Sequence, residues 1–144
     1  MVKIIVAVLY VILLISVYTD TTKGIIPNWL ILPGCVIGLL LNIHRPQQIL
    51  PAVTAGLIFF ILYMLGVIGA GDVKCLFMIG LYLERDPYII SIISGFLIAA
   101  LSSFCILLKD FIINKSKALE QKHTIHLAGP IFLGVIISTG GAHL

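Results

Sequence analysis

Charged residues are scarce in this sequence. Only 10% of its 144 residues are Asp, Glu, Lys or Arg, whereas 60% are hydrophobic, and the mean hydropathy is +1.20. A soluble domain of this size could not bury so much apolar surface, so lipid is the expected solvent for most of the chain. The net charge of +3 is spread through the loops. It forms no basic stripe with interleaved aromatic residues, which argues against nucleic-acid binding.

Cysteine is also rare, with three residues that lie within or beside apolar runs and form no CxxC pair. We interpret Cys35, Cys75 and Cys105 as small buried apolar residues rather than as disulfide partners or metal ligands. His123 and His126 are three positions apart but have no third ligand at a suitable spacing. We therefore predict no metal site and no cofactor.

The apolar residues are grouped into six runs. The first has no small-x-small cleavage site after it, so we predict a retained helix rather than a signal peptide. The second contains Pro33, and the fourth is too short to cross lipid alone, since a span needs about 20 residues. The sequence predicts an all-α polytopic membrane protein with about six transmembrane helices in a single domain, residues 1–144, with five helices as the alternative. The runs lie at residues 2–19, 28–43, 49–69, 73–83, 88–108 and 125–142.

The basic residues predict how these helices are oriented. With six helices, alternate loops lie on opposite sides of the membrane, and the side richer in Lys and Arg is normally cytoplasmic. One side collects six basic residues and the other collects three: Lys23, Lys74, Lys109, Lys115, Lys117 and Lys122 against Lys3, Arg45 and Arg85. We therefore expect Asp20 and Asp72 to share the cytoplasmic side of a cell membrane.

Asp20 and Asp72 differ from the other acids because each lies where an apolar helix meets a short turn that contains glycine. Ionisable groups at such positions are costly, which makes them functional candidates. Asp20 could instead mark the interfacial end of a helix, and Asp72 could be an N-cap. Two carboxylates held close together share one proton, so one can act as a base and the other as an acid. The other acids are predicted to lie in polar loops: Glu84, Asp86, Asp110 and Glu120.

Three segments of the sequence contain motifs with chemical meaning. Residues 69–72 read Gly-Ala-Gly-Asp, a GxGD motif, and a lysine lies two places after Asp72. In residues 20–28 an aspartate at a helix end is followed by a basic residue and Ile-Pro-Asn, and the pair Gly129-Pro130 lies near the C-terminus. The GxGD motif matches that of intramembrane-type aspartyl proteases. Residues 20–28 resemble the first catalytic segment of type IV prepilin peptidases, and the other two segments are also similar to that family.

This resemblance implies a membrane aspartic endopeptidase with Asp20 and Asp72 as its catalytic residues and the GxGD turn at the start of a short fourth helix. Its implied partner is a prepilin or pseudopilin with a basic leader and an apolar helix. The chain resembles the minimal form without a CxxC segment, so we expect peptidase activity without methylation. Residues expected to shape or tune the site are Lys23, Gly24, Pro27, Asn28, Gly69, Gly71 and Lys74.

Two alternatives remain open. A non-enzymatic assembly subunit or carrier could use the two aspartates as helix caps or proton relays. A presenilin-like protease would share GxGD, but those proteins are larger and use Tyr-Asp and Pro-Ala-Leu motifs. Here Thr19 separates Tyr18 from Asp20, and no Pro-Ala-Leu occurs.

Overall fold

The computed structural model describes residues 2–43, 45–113 and 127–140. Within these ranges the chain forms six α-helices and no strand, which confirms the all-α prediction for the described residues. The helices are α1 (Val2–Lys23), α2 (Asn28–Leu41), α3 (Pro46–Met64), α4 (Ala70–Tyr82), α5 (Arg85–Ile113) and α6 (Ala128–Gly140).

Two of these helices contain a stretch that is long and apolar enough to cross a membrane, namely Ile5–Lys23 in α1 and Arg85–Lys109 in α5. Helices α2, α3 and α6 contain shorter apolar stretches. Helix α4 has 13 residues, a rise of about 20 Å, against about 30 Å for the hydrocarbon core of a bilayer. Six complete spans therefore stay a prediction.

Helix α4 lies among the other helices, which explains how so short a helix is accommodated. It packs mainly on α2 and α3 and also contacts α1 and α5. Residues from both halves of the helix are buried, including Cys75, Leu76 and Met78. Gly80 allows α3 to approach, because a Cβ there would lie 2.9 Å from the Cα of Ala52. Protein therefore encloses most of this helix, except on the side that carries the exposed Lys74.

The sequence predicts close helix packing at six glycines within or beside the apolar runs: Gly38, Gly56, Gly66, Gly80, Gly95 and Gly134. Most of them permit it. At Gly95 a Cβ would lie 3.1 Å from the Cα of Ile131, and at Gly134 it would collide with the Ser91 carbonyl, so these two residues join α5 to α6. The packing role expected for Gly66 is wrong. Its φ is +74° and a Cβ there would meet nothing within 4 Å. This residue forms the turn after α3, where a positive φ favours glycine.

One face of α1 points into the bundle. Leu9, Leu13, Ser16 and Asp20 are all buried, and their spacing of three and four residues places them on the same side of the helix. Helix α6 packs along α1, where the hydroxyls of Tyr10 and Thr139 are hydrogen-bonded. Asp20 therefore continues an otherwise buried face instead of projecting to the exterior.

Several local predictions need correction. Helix α5 continues through Ile113, so Lys109 and Asp110 belong to a helix rather than to a polar loop. The apolar residues 111–113 after them favour this extension. Asp86 likewise lies in the first turn of α5. The cysteines also differ from one another: Cys75 is buried, Cys35 is half-buried and Cys105 is exposed.

Two predictions about the polar segment between α5 and α6 concern residues that are not described. Glu120, His123 and His126 lie outside the described residues. Among the residues that are described, no three His, Cys, Asp or Glu side chains are grouped in a way that could hold a metal ion.

Candidate active site

Asp20 lies in the last turn of α1, three residues before the helix ends at Lys23. Gly24 follows with a φ of +63°, and its N–H donates to the Asp20 carbonyl at 2.8 Å. A left-handed glycine is a common way to end a helix. The aspartate is thus held by regular helical backbone, and the chain turns sharply just beyond it.

Asp72 lies in the first turn of α4, whose N-cap is Gly69. The alternative that Asp72 is itself the N-cap is therefore wrong. Its carboxylate lies over the turn, because a Cβ at Gly69 would be 3.0 Å from Oδ2 of Asp72. A negative charge is favoured at this end of a helix, where backbone N–H groups lack helical acceptors.

The start of α6 contributes a partner for Asp20. The backbone N–H of Ala128 donates to Oδ2 of Asp20 at 3.4 Å. Ala128 is the first residue of α6, so its N–H has no acceptor within that helix. Ala128 is not among the site residues predicted from the sequence, although Gly129-Pro130 indicated a helix start nearby, since proline is favoured in a first turn.

Both carboxylates line a single cavity of about 680 Å³. Of the residues expected to shape the site, all but Lys23 also line it: Gly24, Pro27, Asn28, Gly69, Gly71 and Lys74. Lys23 is exposed at the end of α1. The cavity also includes apolar residues and turn residues that were not selected from the sequence: Ile25, Ile26, Gly66, Val67, Ala70 and Leu127. All except Leu127 lie within or close to the motifs at residues 20–28 and 69–72, and this position was the available signal.

Two contacts hold the walls of this cavity together. A Cβ at Gly71 would lie 3.2 Å from Cβ of Ile26, so glycine lets the start of α4 lie against the connection between α1 and α2. Nζ of Lys74 donates to Oδ1 of Asn28 at 2.9 Å and joins α4 to the start of α2. The segments that carry Asp20 and Asp72 are thus brought together by residues from both motifs.

The electrostatic setting allows two acids to lie in one cavity. Asp20 is at the N-terminal end of α6 and Asp72 is at that of α4, and the partial positive charge at each helix start offsets repulsion between carboxylates. Paired acids in a partly enclosed cavity can hold a shared proton and move it to and from a bound substrate.

Residues 7–107 match the model of the type IV leader peptidase family. The matched region is more than half of the chain and contains both Asp20 and Asp72. The chain belongs to the type IV leader peptidase family. It is therefore a protease, and the family together with the two long apolar helices indicates a membrane protein. No curated protein and no solved structure matches the chain.

Membership in the leader peptidase family favours a protease over the non-enzymatic subunit or carrier. The match ends within α5, before the start of α6. Even so, Leu127 lines the cavity and Ala128 contacts Asp20. The last helix therefore completes the site from outside the matched region.

Proposed function

We propose that this leader peptidase family member is an aspartic endopeptidase that removes the basic leader of type IV prepilins or prepilin-like proteins at the cytoplasmic face of the cell membrane. The observation that supports this most directly is the shared cavity, which receives Asp20 from α1 and Asp72 from α4. The family supplies the substrate class, and the two carboxylates supply the chemistry.

In the proposed mechanism, the ionised carboxylate takes a proton from a water molecule while the water oxygen attacks the scissile carbonyl carbon. The protonated carboxyl group donates its proton to the carbonyl oxygen, which gives a neutral tetrahedral intermediate. When the C–N bond breaks, the first carboxyl passes its proton to the leaving nitrogen and the second carboxylate recovers the proton of the collapsing hydroxyl. The pair ends with one proton between them, as it began.

Two features of the site favour this chemistry. Asp20 is only 8% exposed, so little bulk water surrounds its carboxylate, and its electrostatic interactions are stronger than they would be in water. Both acids project from regular helices, which hold reacting groups more firmly than loops do.

The proposed cytoplasmic location rests on the basic residues, since Lys23 and Lys74 lie close in sequence to the two acids.

The test is cleavage of a co-expressed prepilin, followed on a gel as the appearance of the shortened product. Asp20→Asn and Asp72→Asn keep the side-chain shape but cannot exchange a proton, so each should lower the rate by at least about a hundredfold. Asp86→Asn is the matched control, because Asp86 is exposed and also lies in the first turn of a helix. Cleavage at the wild-type rate by either active-site variant would contradict the two-aspartate mechanism.

A further inference from the structure

A second concave surface, the apolar groove, lies beside the cavity that holds the aspartates. It has a volume of about 410 Å³. Helix α3 contributes residues at positions i, i+3, i+4 and i+7, which form one helical face. The residues of the groove are Ile31, Leu32 and Cys35 of α2, Val53, Gly56, Leu57 and Phe60 of α3, and Val73, Lys74 and Phe77 of α4.

The groove exists because α2 and α3 both pack on α4 but make few contacts with each other. Phe77 forms part of its floor, and Gly56 leaves space for that ring, since a Cβ there would lie 2.9 Å from Cδ2 of Phe77. Large apolar side chains along the walls stay exposed, with Leu32 and Leu57 each 61% exposed. The described helices therefore leave an apolar surface two helical turns long, about 10 Å, uncovered.

The groove and the cavity are continuous along α4. Val73 and Lys74, which line the groove, directly follow Asp72 in α4, and Lys74 lines both spaces. Lys74 is also held by Asn28 at the start of α2. A chain that leaves the two carboxylates along α4 therefore passes a polar junction and then enters an apolar channel between helices.

We infer that the apolar groove binds the apolar helix of the substrate on the C-terminal side of the scissile bond. This inference rests on the proposed function, in which a polar leader precedes an apolar segment. The same polar-to-apolar order occurs along α4, from the carboxylates to Phe77. Lipid tails are as apolar as the groove, so binding depends on close packing against the walls of the groove rather than on the hydrophobic effect.

Two native cysteines provide a direct test of this docking. Cys35 lines the groove, whereas Cys105 is exposed on α5 and is not part of it. Substrate variants, each with one cysteine at a different position of the apolar segment, are combined with the Asp72→Asn variant in membranes and treated with an oxidant. We expect disulfide cross-links to Cys35 that recur every three to four substrate positions, that disappear in Cys35→Ser and that persist in Cys105→Ser. Equal cross-linking to both cysteines, or none to Cys35, would overturn the inference and leave lipid as the occupant.

A kinetic test uses two neighbouring residues of α3 with similar exposure. Leu57 is 61% exposed and lines the groove, and Ile58 is 59% exposed and lies outside it. Leu57→Trp should fill the groove and raise KM about tenfold, equivalent to about 1.4 kcal/mol of binding, with little change in kcat. Ile58→Trp should leave KM unchanged. Equal KM values for the two variants would contradict docking in the groove.

These experiments separate the docking inference from the proposed function. If Asp72→Asn cross-links through Cys35 but the wild-type protein never cleaves the substrate, the peptidase proposal is contradicted and docking in the groove is supported. If the wild-type protein cleaves the substrate but Asp72→Asn gives no cross-link at Cys35, the peptidase proposal is supported and docking in the groove is refuted.

Discussion

Gly69 offers a way to displace one carboxylate while the backbone stays as it is. Its φ of −73° and ψ of 148° are extended, so alanine can adopt the same conformation without strain. The added Cβ of Gly69→Ala would lie 3.0 Å from Oδ2 of Asp72. Carbon and oxygen atoms normally approach to about 3.3–3.6 Å. The carboxylate oxygen must therefore move by about 0.3–0.6 Å.

The expected effect on catalysis follows from this displacement. Misplacing a reacting group by about 1 Å can lower a rate about a hundredfold, so a shift of about half that size should lower kcat about tenfold. The free energy of unfolding should change by less than about 1 kcal/mol, because the restriction of the unfolded chain by alanine is offset by the preference for glycine over alanine at an N-cap such as Gly69. The substitution therefore separates catalytic geometry from folding.

The assay is the initial rate of leader cleavage at saturating substrate, with thermal unfolding measured in the same detergent. Gly140→Ala is the matched control, since Gly140 is at the far end of α6 from Ala128 and a Cβ there would meet nothing within 4 Å. A folded Gly69→Ala variant with a kcat within twofold of wild type would show that the position of the Asp72 carboxylate does not limit the reaction.

Two further predictions concern hydrogen bonds that join α4 to α2 and its C-cap. Asn42→Ala removes the Nδ2 group that donates to the Leu81 carbonyl at 2.5 Å. The buried carbonyl then lacks this donor, which should lower the free energy of unfolding by about 1–3 kcal/mol. Thermal unfolding measures this loss, and cleavage at low temperature should persist. Lys74→Met and Asn28→Leu each break the contact between α4 and α2. Because an exposed pair contributes about 0.5 kcal/mol, each should lower kcat/KM two- to threefold. The double variant should be no worse than either single one, because both substitutions remove the same contact. Fully additive losses would mean that the two side chains act independently.

The positions of the helices could be predicted because their signals are local. Apolar runs interrupted by glycine, proline and charged residues give six helices in the described residues, as expected. The predicted boundaries failed where those local signals are weak. Lys109 and Asp110 resembled the start of a loop, but the apolar residues after them continue α5.

A glycine's role could not be deduced from its residue type. Gly66 and Gly134 both follow apolar residues in the sequence. Gly134 faces the backbone of α5, whereas Gly66 adopts a positive φ in open space. Close packing and a left-handed turn both require a missing Cβ, and only the three-dimensional neighbours distinguish them.

For the site itself, the sequence alone determined which residues to consider, because acids beside glycine turns are rare in so apolar a chain. The tertiary structure decided how they are arranged. It showed that Asp20 and Asp72 line one cavity, that Gly69 rather than Asp72 caps α4, and that Ala128 contacts Asp20 from the last helix. Contacts between distant segments depend on how whole helices pack, and a local sequence pattern does not predict that packing.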